Sequence, residues 1–259
     1  MTTLFVLGSG SKGNCVAISH RGSTLLVDAG FSAKEIERRA MAVGLGLKTV
    51  VGIAVTHEHG DHSAGVARLA RRLGAPIITS PGTWDRLRHR VGKTEHRMVS
   101  LGGRVEIGAF SVAACPTHHD ASEPVAFAVR TTDGTGVGVA YDLGKATAGL
   151  RYLLRGMNAL VLEANHDEVQ LRLGPYPPAV QHRIAGSGGH LSNRAAAELL
   201  GELTHPELRV VVLAHLSESC NTAADARATV EPALSRAGFA GRLHVAEQAA
   251  PLPPLPIWG

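Results

Sequence analysis

The sequence predicts an α/β protein whose sheets are sandwiched between layers of helix, and three observations lead there. Strand-like runs and helix-like patterns interleave along the whole chain. At 259 residues and 44% hydrophobic, the chain is long enough to bury a full core. With only 4% aromatics but 30 Gly and 13 Pro, that core is aliphatic and its elements are short and tightly turned. No linker or internal repeat interrupts the pattern, so residues 1–259 read as one domain.

The elements follow in order. Leu4–Leu7, Val16–Ile18 and Leu25–Val27 are β-rich, and Arg21-Gly22-Ser23 joins the last two as a hairpin. Ser32-Ala33-Lys34-Glu35 is a capping box; Ile36, Ala40 and Val43 keep helical spacing, and Gly44 is a stop. Val50–Val55 reads as a buried strand ending at Thr56. Val66, Leu69, Ala70 and Leu73 carry a helix closed by Gly74, and Pro76–Thr79 forms the next strand. Further strands are expected at 104–114, 125–130, 136–141, 159–163 and 209–214, with helices from Ser192 to Leu200 and from Asn221 to Ala237. The tail Pro251–Pro256 contains P-x-x-P and reads as a surface-packed or frayed terminus.

Composition excludes several classes. No apolar run approaches the roughly 20 residues of a membrane helix, and Met1-Thr2-Thr3-Leu4 leads into a strand without the features of a secretory signal. A cytoplasmic location and no membrane partner are therefore expected. Cys15, Cys115 and Cys220 are far apart and odd in number, against a disulfide framework or a cysteine metal knuckle. The net charge of +4 is compatible with a polyanionic partner. Gly8-Ser9-Gly10-Ser11-Lys12-Gly13 matches G-x-G-x-x-G, with Asp28 downstream where a ribose-binding acid would stand. That match misleads. The β-rich stretch Asn14–His20 leaves no room for the helix a dinucleotide site needs, so these glycines read as a tight loop bringing backbone near a site.

The chemistry concentrates in Thr56-His57-Glu58-His59-Gly60-Asp61-His62. In an extended segment His57 and His59 point the same way, so both imidazoles reach one metal ion. After the Gly60 bend, Asp61 and His62 reach a second ion roughly 3.5–4 Å away, the spacing of two-metal hydrolytic sites. Cysteine is absent from these positions, and imidazole with carboxylate suits zinc or manganese rather than calcium.

The motif resembles the H-x-H-x-D-H signature of the metallo-β-lactamase superfamily, and further blocks recur in its order. These are Pro116–Ala121, Ala140–Gly144, Leu162–Asp167, Gly189–Asn193 and Leu213–Ser217. The set most resembles the YycJ (WalJ)-like branch, grouped with the superfamily's nucleases. The resemblance implies a four-layer αββα sandwich and two divalent ions, Zn or Mn. His57, His59 and His119 would hold the first and Asp61, His62 and His215 the second, with Asp142 shared. Of the adjacent pair, only one faces the site, and the family pattern favours His119 over His118. It also implies catalytic roles for Asp61, for His190, which precedes the helix cap Ser192, and for His166, as an extra ligand or phosphate contact. Glu163 and Asp167 flank His166 at a strand end, where functional and plain loop polar groups look alike.

Two such ions lower the pKa of bound water toward about 7 and clamp attacking and leaving oxygens, so hydrolysis by a metal-bridging hydroxide is expected. The fold does not choose the substrate. The stretch after His215 is too short for the helical substrate domain of glyoxalase-II-type thioesterases, and the Asp142–His215 interval excludes the large insertion of ribonuclease J-type enzymes. Arg71, Arg72, Arg86, Arg88, Arg90, Lys93 and Arg97 offer either a phosphate track or a solvated helix face. Trp84, Tyr152 and Tyr176 are the few residues on which bases could stack. The expected activity is a 5′→3′ DNA exonuclease; the alternatives are a small-molecule hydrolase (cyclic phosphodiesterase or thioesterase) and a metal-binding regulatory protein without turnover.

Overall fold

The computed structural model describes residues 1–257. The first half supplies β1 (Thr2–Gly8), β2 (Cys15–His20), β3 (Ser23–Val27), β4 (Val50–Ala54), β5 (Ile77–Thr79) and β6 (His96–Met98). The second supplies β7 (Arg104–Ile107), β8 (Phe110–Pro116), β9 (Val125–Thr131), β10 (Gly136–Ala140), β11 (Ala159–Glu163), β12 (Val210–Ala214), β13 (Arg242–Val245) and β14 (Leu255–Ile257). The helices are α1 (Ala33–Ala42), α2 (Gly60–Ser63), α3 (Val66–Leu73), α4 (Pro81–Val91), α5 (Ala148–Leu154), α6 (Glu168–Leu173), α7 (Pro178–Ala185), α8 (Asn193–Leu203) and α9 (Ala223–Arg236).

Two seven-stranded sheets result, in the orders β14-β1-β2-β3-β4-β5-β6 and β13-β12-β11-β10-β9-β8-β7. Alternation of side chains sorts each strand between two cores. On β8, for example, Phe110, Val112 and Ala114 face the layer between the sheets, where they meet Leu4, Val16 and Leu25 of the first sheet. The opposite face of the first sheet packs on α1, α3 and α4 through Ile36, Leu69 and Leu87. That of the second packs on α5, α8 and α9 through Leu154, Leu200 and Val230. This is the expected αββα sandwich, and the helix caps follow the sequence: Ser32, Ser192 and Thr222 each accept a backbone N–H of the first turn.

Three expectations change. The run 104–114 is a hairpin rather than one strand, because Gly108 at φ 54° turns the chain and keeps Ile107 and Phe110 on the inner face. The Pro-rich tail is not frayed: β14 pairs antiparallel with β1, burying Leu255 and Ile257 and covering a sheet edge. The basic run is no single helix face: it is divided among α3, α4, the loop after α4 and β6, and three of its seven members are ion-paired, Arg72 with Glu37, Arg88 with Asp85 and Arg97 with Glu95. Trp84 is stacked on His96 at 3.8 Å. No helix among the described residues is long and apolar enough to cross a membrane.

Candidate metal centre

At one end of the sandwich, the loops after β3, β4, β8, β10, β11 and β12 converge on a cleft of about 350 Å³ whose walls include His59, Asp61, His119, Asp142, His190 and His215. The strands that aim these residues leave the sheet abruptly. Asp28 after β3, Asp142 after β10 and His215 after β12 have φ of 61°, 55° and 54°. This left-handed region is uncommon for non-glycine residues, though Asp and His tolerate it best. Local strain therefore coincides with the points where a strand ends and a polar side chain enters the site.

Two groups of donor atoms lie close enough to share an ion each: His57, His59 and His119, and Asp61, His62, Asp142 and His215. Every ligand residue expected from the sequence is in one of them. His119 enters the cleft while His118 is exposed, which decides between the two adjacent histidines. His57 Nε2 stands 3.1 Å from His59 Nδ1, and His62 Nε2 stands 2.6 Å from Asp142 Oδ2. Yet that buried carboxylate oxygen accepts no hydrogen bond, because the imidazole N–H direction misses it. A buried carboxylate oxygen left without a hydrogen bond, among imidazole nitrogens and a second carboxylate close enough to share an ion, is the expected signature of a cation's ligands, so these residues fit divalent metal.

The opposite ring nitrogens are anchored. His62 Nδ1 meets Asp28 Oδ2 at 2.7 Å, and Asp28 is itself held by the Thr56 N–H and hydroxyl at 2.8 Å. Thr56 Oγ1 lies 3.1 Å from His57 Nδ1, and the Gly189 carbonyl 3.3 Å from His119 Nδ1. Such partners fix tautomer and ring orientation. The glycine loop plays its expected part: Ser9 Oγ accepts the His215 backbone N–H, and Asn14 reaches both Asp61 and His62.

A third group joins Asp142, Glu163, His190 and His215. Glu163 Oε2 accepts the Leu143 and Leu191 backbone N–H groups and Oε1 accepts His190 Nδ1 at 2.7 Å, so its oxygens are committed to holding neighbours rather than an ion. Burial disfavours the charged form of His190, but the adjoining Glu163 and Asp142 carboxylates outweigh it and raise its pKa to about 11. Burial likewise opposes ionisation of Glu163, and His190 beside it overrides that, lowering its pKa to about 2. Burial and the neighbouring His62 hold His57 neutral, as a ligand requires.

His166 is buried beside the site but lines no wall of the cleft; its backbone bridges to Ser192 and its Nδ1 has no partner. Asp167 caps α6 through the Val169 and Gln170 N–H groups. Sequence reasoning misses Asp28 as a metal-site residue, Glu163 as an anchor, and Arg183, which reaches the cleft from α7. Of these Asp28 and Glu163 are visible in the sequence as carboxylates at strand ends, and Arg183 carries no signal.

Residues 23–216 match the Beta-lactamase superfamily domain. The chain is 35% identical over 237 residues to exodeoxyribonuclease YycJ of Bacillus anthracis, covering 90% of this chain and 89% of that protein. It is 29% identical over 237 residues to exodeoxyribonuclease WalJ of Streptococcus pneumoniae serotype 2 (strain D39), covering 90% and 88%. The crystal structure of the metallo-beta-lactamase fold protein YhfI from Bacillus subtilis superposes with a TM-score of 0.72 at 16% identity, covering 97% of this chain and 99% of that one. With its donor clusters at the loop end of two sandwiched sheets and this likeness along nearly its whole length, the chain belongs to the beta-lactamase superfamily and is a metal-dependent hydrolase of that fold.

Proposed function

We propose that the protein is a 5′→3′ exodeoxyribonuclease working with two divalent ions, zinc or manganese. The choice of DNA over other substrates rests on one observation, the near full-length likeness to two proteins named exodeoxyribonucleases. His57, His59 and His119 would hold one ion, Asp61, His62 and His215 the other, with Asp142 between them. Bound there, the ions supply Lewis acidity to the phosphodiester and make water a better nucleophile at neutral pH.

The chain's own side chains do the rest. His190 lines the cleft with Nδ1 committed to Glu163, which leaves Nε2 as the atom free to give a proton to the departing oxygen. The ion pair with Glu163 keeps that proton on His190 at neutral pH. Arg183 stands at the rim, 3.7 Å from Asp120, where a guanidinium can steady a substrate phosphate. Asp61 acts here as a ligand, and His166 as a support behind His190.

Incubation of the manganese-loaded protein with 5′-phosphorylated duplex DNA tests the proposal. Release of mononucleotides from the 5′ end is expected, abolished by His59→Ala and slowed about 10²–10⁴-fold by His190→Gln. Intact DNA alongside brisk turnover of a cyclic phosphodiester would instead identify a small-molecule hydrolase.

A further inference from the structure

We propose that a groove on the outer face of the second sheet, beside α5, binds an unpaired stretch of the nucleic-acid substrate; this rests on the nuclease reading above. The groove has a volume of about 450 Å³ and begins at Cys115 and Pro116, on the strand that runs directly into His119. Its floor is made of the outward residues of β8 and β9, which are small here: Ala113 pairs with Ala128 across the ladder. On the rest of this sheet the same face is filled by Leu and Val packed under α5, α8 and α9. α5 packs on β8 and β9, and the small side chains of the floor leave the channel open along its flank, where Gly149, Tyr152 and Leu153 form one wall.

Its walls carry charge of one sign. Arg104 from β7, Arg130 from β9 and Arg155 at the end of α5 line it, and no carboxylate does. Among the described residues none of the three arginines forms an ion pair or side-chain hydrogen bond, unlike Arg72, Arg97 and Arg151, each matched to a glutamate. Glu106, two residues along β7 from Arg104, is engaged by the Ser111 hydroxyl. Tyr152, on the exposed side of α5, lines the same groove and is 81% exposed. Uncompensated guanidinium groups beside an open aromatic ring are what a single strand needs, phosphates on the cations and a base on the ring. Arg104 pairs opposite Ala113 and Arg130 opposite Ser111, three and five residues from Pro116 at the cleft end of β8, about 10–17 Å at 3.4 Å per residue and a span of a few nucleotides. An acidic peptide would use the charges but not the continuity with the cleft.

The test measures binding apart from cleavage. Metal-loaded protein is titrated into 3′-fluorescein oligothymidylates of about 3 and 15 nucleotides, protected by phosphorothioate linkages, with anisotropy as readout. The triple variant Arg104→Gln, Arg130→Gln, Arg155→Gln is expected to bind the longer strand at least tenfold more weakly and the shorter one within about twofold of wild type. Its slope of log affinity against log salt should fall by about 2, at roughly 0.7 for each phosphate no longer neutralised. Tyr152→Ala should weaken the longer strand about fivefold or more. Turnover of bis(p-nitrophenyl) phosphate, which has no strand to fill the groove, should hold within about twofold. Equal affinity of wild type and triple variant for the longer strand overturns the groove alone. So does a loss of diester turnover in both the triple variant and the single Arg104→Glu, which would assign the effect to the fold. Displacement of polyglutamate but not of oligonucleotide would mark an acidic protein partner and also overturn it. A wild type that binds neither strand and also leaves unprotected 5′-phosphorylated duplex DNA intact overturns the nuclease reading and the groove together.

Discussion

At His62 both ring nitrogens are engaged, Nδ1 by Asp28 and Nε2 toward Asp142 and Asp61, and the ring is fully buried. A carboxylate behind a ligating imidazole fixes its tautomer and raises its basicity, so in the proposed centre Asp28 would govern metal affinity without touching metal. Asp28→Asn keeps size and removes charge. It is expected to weaken binding of the second ion about 10–100-fold, read by competition with a chromophoric chelator, while the far-ultraviolet dichroism stays unchanged. Retained affinity would show that Thr56 and packing suffice to orient His62. Glu163 does for His190 and His215 what Asp28 does for His62. Neither carboxylate belongs to a local motif. Their partners lie far along the chain, which is why spacing alone brought out the ligands of the 57–62 segment and left their supports unassigned.

At the scale of elements, the site depends on α2 and its approach to the loop after β3. The four-residue helix starts at Gly60, and its Asp61 carbonyl accepts the Asn14 N–H at 2.7 Å. Gly30 passes so close that a Cβ there would stand 1.6 Å from that carbonyl oxygen. Backbone on both sides leaves no flexible group to yield. Gly30→Ala is therefore expected to cost about 3 kcal/mol or more, visible as a lower urea midpoint, and to loosen the ion held by Asp61 and His62. A variant as stable as wild type would mean that the two loops can separate without disturbing the fold. The central parallel strands were legible in sequence because each is a bounded apolar run, as Val50–Ala54 and Val210–Ala214 illustrate, whereas the parallel edge strands β6 and β13, polar and short, were not. α5, α6 and α7 were not legible, since they are short and bury little; α7 buries no residue at all. The groove beside α5 was equally invisible, for it is defined by how far α5 reaches across β8 and β9.

For the molecule as a whole, the site concentrates charge in a buried place, and its stability must follow pH in two ways. In the metal-free protein Glu163 has its pKa lowered to about 2, so its contribution is present above its ordinary 4.5 and is lost as pH falls through that interval. His190 has its pKa raised to about 11, so its contribution is complete below its ordinary 6.5 and is lost as pH rises from there. The stability gap between metal-free wild type and Glu163→Gln should thus be widest at about pH 4.5–6.5 and narrow on either side, as urea midpoints across the range would show. The stabilisation by added zinc should run the other way through neutrality, growing as the ligating imidazoles deprotonate, with about 2.7 kcal/mol reached at one hundred times the dissociation constant. A gap that keeps widening above pH 9 would contradict the assigned direction of the His190 shift.

The chain by itself determined the layered α/β class, the first four candidate metal donors and the glycine loop beneath them, because all of these are written in local period, spacing and turn chemistry. Only the tertiary structure could turn His118 out while bringing His119, which the family pattern already favoured, into the cleft, recruit Asp28 and Glu163, dock the proline-rich tail as β14 and leave Arg104, Arg130 and Arg155 without carboxylates. Each of those depends on which distant groups share a small volume, and contact between residues remote in sequence is decided by how two sheets pack, not by any pattern along one of them.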